Sequence, residues 1–506
     1  MPDPASASFD VPSGEVPAIV TSAAWEADDK PSWQVRVFAS DAYFRLWLAQ
    51  VVSAMGDWIG FLAIAAAAFR IGGGSPETAV GLVMSARIVP GFFLGPVAGV
   101  LIDRWDRKRL MVACDLGRAA VLLMLPFITH VWELLVASLL LEVCTLLWSP
   151  AKEASVPNIV PADRLTTANS LSLVAAYGTF PFASALFAAL AGVAKTLDDV
   201  APFDSMKLQQ ESVAFWFDTV TFTFSAFMIS RLAFPRLSRD ERKAQHTESD
   251  WRQAFIDLKE GWQFVFLNPV VRAVNVGLAT GLIGAAMLVP LGPVFADEVL
   301  GSGTAGFGLL TTALGVGVAL GVLMLSVAQK RLPKERTFTG AVFVAGGSLI
   351  GAASTSTLAP AMAFVAVIGV CGGAVYVLGF TLLHETVADD LRGRIFSALY
   401  TMVRLCVLLA FGAAPLLSGQ LSRLSKAFSD DGVVSFGDWD LAVPGVRLTL
   451  WLAGLIVLGA GVLALRSLKA GGALDPPEPV AAAGPHVPAA EPELGTSPPS
   501  EPGSTP

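Results

Sequence analysis

Residues 99–109 read GVLIDRWDRKR and place four basic side chains between two long apolar runs, 78–102 and 110–129. Lysine and arginine gather in the short cytoplasmic loops of membrane proteins and are costly inside the hydrocarbon. The stretch therefore predicts a cytoplasmic turn between two membrane-spanning helices.

The composition extends this prediction to the whole chain. Of the 506 residues, 54% are hydrophobic and 15% are charged, against roughly 25% charged in an ordinary soluble domain. A helix needs about 20 mostly apolar residues to cross the hydrocarbon core. The apolar runs predict twelve such helices, at roughly 44–69, 78–102, 110–129, 131–150, 165–193, 213–234, 270–296, 304–328, 337–356, 359–385, 393–420 and 445–467.

The charges predict how these helices are oriented. Most of the 34 lysines and arginines fall on one side if both termini are cytoplasmic, as the positive-inside rule requires. No cleavable signal peptide is evident at the N-terminus, so the first span is expected to direct insertion. We therefore expect a multi-pass protein of the bacterial inner membrane, whose basic loops contact anionic lipid headgroups.

An internal repeat divides the chain. At an offset of about 227 residues, Gly74-Ser75 matches Gly301-Ser302, Gly81-Leu82 matches Gly308-Leu309, and Arg104 matches Arg331. We therefore predict an all-α fold of two pseudo-symmetric six-helix bundles with a cavity between them. The predicted divisions are an N-terminal tail (1–43), a first bundle (44–234), a central cytoplasmic loop (235–269), a second bundle (270–468) and a disordered cytoplasmic tail (469–506).

The stretch at 99–109 resembles the signature loop of the major facilitator superfamily. That loop reads glycine, three residues, aspartate, a basic residue, any residue, glycine, any residue and two basic residues; here Asp106 replaces the second glycine. The resemblance implies a cytoplasmic gate in which Asp103 contacts the start of span 11. The gating residues are then Gly99, Asp103, Arg104, Arg107, Lys108, Arg392, Gly393 and Arg394. The alternative is a positive-inside anchor with no gating role.

Three further stretches are similar to the branch of this superfamily that exports macrolides and siderophores in exchange for protons. They are FRLWLAQ at 44–50, PNIVP at 157–161 and LRGR at 391–394. The resemblance implies efflux of a hydrophobic or amphipathic small molecule by alternating access. A lipid, lysophospholipid or other metabolite carrier of the same fold stays open as an alternative, as does a non-transporting receptor.

Ionisable residues inside the predicted spans are the candidates for proton coupling. Such a residue is costly in lipid and usually faces a cavity or an opposite charge. Asp57 and Glu142 are the candidate proton carriers, with Arg118 and Arg87 as counter-ions that a conformational change can release. A static ion pair that fixes helix packing is the alternative. We expect Asp115 to be a local partner of Arg118, and Asp218 to be hydrated near the outer end of span 6.

A bulky amphipathic substrate would need a lining of aromatic side chains with some polar groups. The candidates within the spans are Trp58, Phe61, Phe92, Trp148, Tyr177, Tyr376, Tyr400 and Arg404. Glu385 and His384 are conceivable partners of Arg404.

Other functions find little support in the sequence. It contains no GxxxxGK[ST] motif for ATP binding, and its four histidines and four cysteines are scattered, without the spacing of a metal site. We therefore expect no enzyme activity, cofactor, metal or nucleic-acid partner. The expected partners are a small-molecule substrate, protons and membrane lipids, and the protein is expected to be monomeric.

Overall fold

A computed structural model describes residues 33–91, 105–198, 209–232, 267–328, 332–387, 389–428, 433–436 and 439–470. Phe92, Gly99, Asp103, Arg104 and Arg331 lie outside these ranges. The backbone of residues 392–394 is described as helix, but their side chains are not. The gate predicted between Asp103 and the start of span 11 therefore stays a prediction.

The described part of the first half of the chain forms eight helices. They are α1 (Trp33–Phe38), α2 (Asp41–Ile71), α3 (Pro76–Ala86), α4 (Arg107–Met124), α5 (Val131–Glu153), α6 (Leu165–Tyr177), α7 (Phe180–Asp198) and α8 (Ser212–Ser230). Short 3-10 turns follow at Leu125–Phe127, Val156–Asn158 and Ala162–Arg164. The fifth predicted span is thus two helices, α6 and α7, which meet at Gly178 and Thr179.

The described part of the second half forms seven helices and a hairpin. The helices are α9 (Pro269–Ala286), α10 (Leu288–Val294), α11 (Gly303–Ala328), α12 (Lys334–Ser354), α13 (Leu358–Thr386), α14 (Asp389–Phe428) and α15 (Gly445–Ala470). A π-helical turn, Phe295–Val299, follows α10. Strands β1 (Val433–Phe436) and β2 (Trp439–Ala442) pair antiparallel between α14 and α15, a small addition that the apolar pattern does not predict.

Eleven segments of the described chain are long and apolar enough to cross a bilayer. Helix α3 is the described part of the remaining predicted span. The all-helical membrane fold with twelve predicted spans is therefore confirmed, with the hairpin lying in a loop.

Polar side chains fix where several of these helices begin. Ser40 accepts a hydrogen bond from the backbone N–H of Tyr43 at 3.0 Å and caps α2. Asp106 accepts one from the N–H of Arg109 at 3.0 Å and caps α4, with φ of −68° and ψ of 113°. Aspartate is a strong N-cap residue. The departure from the superfamily's glycine at this position therefore gives the helix a cap without left-handed backbone.

The helices form two packed groups. Helices α2 to α8 make up the N-terminal bundle, in which α8 packs against both α2 and α4; α9 to α15 make up the C-terminal bundle, in which α11 packs on α13 and α9 on α15. Helices α11 and α13 approach so closely that a Cβ atom on Gly317 or Gly321 would collide with a carbonyl oxygen of α13. Small residues at such crossings are typical of membrane helices.

The two bundles touch each other at one end. A Cβ atom on Gly81 of α3 would lie 2.5 Å from the carbonyl oxygen of Phe411 in α14, and one on Gly308 of α11 would lie 2.9 Å from Cα of Ala188 in α7. Ser418 Oγ also lies 3.3 Å from Oε1 of Glu77. We call this set of contacts the outer seal, because the predicted topology places it on the external side.

Candidate transport site

An arginine shared by two aspartates forms the centre of the N-terminal bundle. Arg118 of α4 lies with Nη2 2.5 Å from Oδ1 of Asp115 and with Nη1 3.4 Å from Oδ2 of Asp57 in α2. The side chains of Arg118 and Asp115 are buried, whereas that of Asp57 is 36% exposed. The pairing predicted between Asp57 and Arg118 is present, and so is the local pairing of Asp115.

Aromatic rings complete the surroundings of Arg118. Its guanidinium lies 4.2 Å from the ring centre of Phe222 and 5.4 Å from that of Trp148, distances at which a cation is attracted to the face of a ring. Ser225 donates a hydrogen bond to the second oxygen of Asp115 at 2.8 Å. The Nε of Arg118 is buried and has no hydrogen-bond partner among the described residues, so its N–H is an unused donor.

Hydrogen bonds to α6 hold the helix that carries Asp57. Four side chains of α2 donate to backbone carbonyls of α6: Tyr43 to Ala168 at 2.5 Å, Trp47 to Leu171 at 2.8 Å, Gln50 to Ser172 at 3.1 Å, and Trp58 to Ala176 at 2.9 Å. These bonds run along α2 from Tyr43 to Trp58, the residue that follows Asp57. They fix the side chain of Asp57 toward the interior of the bundle.

Asp57 opens into a polar cavity of about 240 Å³. Its lining carries both hydroxyl and charged groups, and Trp58 and Phe61 form one wall. The polar lining consists of Gln50, Ser53, Asp57, Arg87, Arg118, Thr145 and Ser149, together with Trp148. Arg87 lies with its guanidinium carbon 5.5 Å from the ring centre of Phe61.

A second cavity, of about 210 Å³, shares the Trp58 and Phe61 walls but is almost entirely apolar. The N-terminal bundle contributes Trp58, Phe61, Leu62 and Phe180, and helices α9 to α15 contribute the remainder, which includes Val289, Phe295, Phe307, Leu310 and Leu314. The apolar cavity therefore lies between the two bundles. Trp58 and Phe61 therefore separate a cavity with charged groups from an apolar cavity.

The remaining candidates occupy three kinds of place. Glu142 of α5 is half-buried, and Arg87 and Arg404 are among the charges that act on it. Tyr177, Tyr376 and Tyr400 line neither cavity; they are exposed and face one another across the two bundles. Arg404 is also exposed.

Two partnerships differ from expectation. Glu385 accepts a hydrogen bond from Lys334, so the ion pair considered between Glu385 and Arg404 is wrong for this structure. Two described basic residues of the signature loop contact carbonyls of their own bundle: Arg107 donates to the carbonyl of Ala154 at 2.6 Å, and Lys108 to that of Leu232 at 2.7 Å. Cations at the carbonyl ends of helices stabilise those ends.

Sequence analysis missed one buried acid. Asp218 was expected to be hydrated, but it is only 1% exposed. The expectation failed because Asp218 lies on the face of α8 that packs against α2, six residues after the helix begins at Ser212. The signal was present in Gly56 and Gly60, whose four-residue spacing indicates a close helix crossing.

The membrane-spanning bundles and the enclosed site define a multi-pass transporter rather than an enzyme. The model of the Major Facilitator Superfamily matches residues 46–411, and the chain belongs to that superfamily. Its members bind small molecules and carry them across membranes.

Three known proteins illustrate the relationship. The uncharacterized MFS-type transporter YfiS of Bacillus subtilis is 25% identical over 403 residues, which cover 74% of this chain and 86% of YfiS. Macrolide efflux protein A of Streptococcus pyogenes is 32% identical over 133 residues, 24% of this chain and 31% of that protein. The structure of a bacterial homologue of the human lysosomal transporter Spinster superposes with a TM-score of 0.61 at 14% identity, covering 84% of this chain and 96% of the homologue.

Proposed function

We propose that this protein is a proton-coupled exporter of a hydrophobic or amphipathic small molecule, such as a drug, a macrolide or a siderophore. The observation that carries the proposal is the placement of Asp57 between a buried arginine and a polar cavity that shares two walls with an apolar cavity. One carboxylate thus faces both a counter-ion and the space in which a substrate would lie.

The mechanism follows from the competition for Asp57. Its contact with Arg118 is the longer of the two that the arginine makes, so it is the one that rearrangement breaks most easily. A proton or a cationic substrate group entering the polar cavity neutralises Asp57 and releases Arg118 to Asp115. Glu142 and Arg87 are the second acid and base of this exchange, and rocking of the bundles carries the occupied cavity from one side to the other.

The apolar cavity sets the class of substrate. Its walls are rings and aliphatic side chains from both bundles, so burying an oily substrate there draws the bundles together. The charged cavity beside it favours molecules with a polar or cationic group at one end. The similarity of one segment to macrolide efflux protein A supports a substrate of this kind.

The same proposal includes the placement of the chain. We place it as a monomer in the bacterial inner membrane with both termini in the cytoplasm, the signature loop against anionic lipids, and bundles at 44–234 and 270–468 joined by a cytoplasmic loop at 235–269. With this orientation the outer seal closes the external side. Asp103 and residues Arg392, Gly393 and Arg394 then form the gate of the opposite side.

A lipid or lysophospholipid carrier is the alternative, because the apolar cavity would also accept an acyl chain. The two functions differ in their source of energy. A proton-coupled exporter can no longer move substrate against its concentration gradient when the proton gradient is dissipated. A carrier that moves a lipid down the lipid's own concentration gradient continues to transport it.

The direct test is export of a panel that includes erythromycin and ethidium from cells that lack their own pumps. Asp57→Asn and Glu142→Gln should lose export while keeping wild-type expression. Asp163→Asn is the matched control, because its carboxylate is 79% exposed and lies outside both cavities. Unchanged export in both Asp57→Asn and Glu142→Gln would refute the proton role of these acids.

A further inference from the structure

A second acid lies against the backbone of α2 beside Asp57 and does not line the polar cavity. Asp218 of α8 is buried at the crossing of α8 and α2, where Gly56 and Gly60 flank Asp57 along the chain. A Cβ atom on Gly56 would collide with Oδ1 of Asp218, and one on Gly60 would collide with Oδ2. Both glycines are therefore needed for the carboxyl group to lie against the backbone of α2.

The carboxyl group of Asp218 has little to balance a charge. Thr221 Oγ1 lies 2.9 Å from Oδ1 and 2.8 Å from the backbone carbonyl oxygen of Asp218, so its one hydroxyl hydrogen is shared between two acceptors. No described lysine or arginine forms an ion pair with Asp218. Burial of a carboxylate without a counter-ion is far more costly than burial of the neutral acid. The geometry is therefore that of a site for a protonated carboxyl group.

Charged groups face this site from three neighbouring helices. Asp57 belongs to α2, Arg118 to α4, and Arg87 lies at the end of α3. Arg118 is the one whose surroundings permit a response, because its buried Nε–H has no partner. Its guanidinium lies against Phe222, one helical turn from Asp218 on the same face of α8.

We propose that Asp218 is a second proton-binding site, which holds a proton in this conformation and is linked to Asp57 through Arg118. This inference rests on the proposed proton-coupled function. On release, the O–H bond of Asp218 breaks and the proton passes to the Asp57 carboxylate or to water in the polar cavity. Arg118 then turns its free donor toward the new carboxylate and loosens its contact with Asp57. The two acids thus exchange one counter-ion.

The test is infrared spectroscopy of the purified protein at neutral pH, which detects protonated carboxyl groups by their C=O stretching band and needs no substrate. In Asp218→Asn, which preserves shape and removes the titrating group, we expect one component of this band to disappear. In Asp163→Asn, whose carboxylate is exposed, the band should be unchanged. A band absent from the wild type, or unaltered by Asp218→Asn, overturns the proposal.

Thr221→Val keeps the test decisive if Asp218→Asn does not fold. This variant retains the acid and removes the hydroxyl that lies 2.9 Å from Oδ1, so the C=O component should shift in frequency; no shift overturns the proposal. Failure of the proposed function is a separate result. If the wild type exports substrate at the same rate after the proton gradient is dissipated, proton coupling is refuted. If export depends on the proton gradient but the C=O band is unchanged by the substitutions at Asp218 and Thr221, only this inference is refuted.

Discussion

Arg118 holds Asp115 at 2.5 Å and Asp57 at 3.4 Å, so the two acids it joins are not equivalent. Asp115 is fully buried, receives a second hydrogen bond from Ser225 and is fixed in place. Asp57 is partly exposed to the polar cavity. The difference separates a structural partner from an exchangeable one.

This difference predicts that the same aspartate-to-asparagine substitution lowers stability strongly at Asp115 and only slightly at Asp57. Asp115→Asn leaves Arg118 buried without its close counter-ion, and breaking a buried pair typically costs about 3–5 kcal/mol. We expect much less folded protein, measured by size-exclusion chromatography and thermal unfolding in detergent. Asp57→Asn should fold nearly as well as the wild type. Equal losses in both variants would contradict the assignment of separate roles.

The outer seal predicts that a single methyl group alters access from the external side. In Gly81→Ala the new Cβ would meet the backbone of Phe411 and the ring of Pro415, so the bundles must separate there. A cysteine introduced at the buried Ser418 should then react faster with a membrane-impermeant maleimide. Gly412→Ala is the control, because the space around Gly412 is open; an equal rate in both backgrounds would argue against the seal.

The apolar cavity predicts a steric block of transport. Leu310 lines this cavity and is buried, whereas Leu320 on the same helix is exposed. Leu310→Trp should fill much of the space of about 210 Å³ and reduce export of a bulky probe such as erythromycin at least tenfold, while Leu320→Trp should export it normally. Normal export by Leu310→Trp would place the substrate elsewhere.

The cap on α4 predicts a graded effect on stability. Asp106→Ala removes the hydrogen bond to the N–H of Arg109 and should cost about 1 kcal/mol. Asp106→Gly, which restores the superfamily's residue, should cost only a few tenths, as glycine is tolerated at N-caps. Thermal unfolding of both variants measures the difference; a larger loss for the glycine variant would contradict the capping role.

The fold could be predicted from the sequence because an apolar run long enough to cross the bilayer must do so as a helix. A span such as 110–129 can be identified from its own hydropathy, without knowledge of the helices that pack against it. The strand pair at Val433–Phe436 and Trp439–Ala442 was missed because it lies in a loop, where the lipid imposes no pattern. The break between α6 and α7 was missed because both sides of it are equally apolar.

The site was predicted in part for a related reason. A charge within an apolar run is conspicuous, so Asp57 and Arg118 were found. Which acid each arginine takes depends on how helices face each other, and hydropathy does not encode that. The prediction for Asp218 was wrong because its position near the outer end of span 6 suggested contact with water, whereas its packing against Gly56 and Gly60 buries it. The ion pair between Lys334 and Glu385 was also not predicted, because it depends on how α12 and α13 face each other.

The most direct test of the central claim is proton movement driven by substrate. In everted membrane vesicles with an acidified interior, addition of erythromycin or ethidium to a proton-coupled exporter should release protons, measured as recovery of the fluorescence of a pH-sensitive acridine dye. We predict recovery with the wild type and with Asp163→Asn, and none with folded Asp57→Asn. Equal recovery with Asp57→Asn and the wild type would contradict the account.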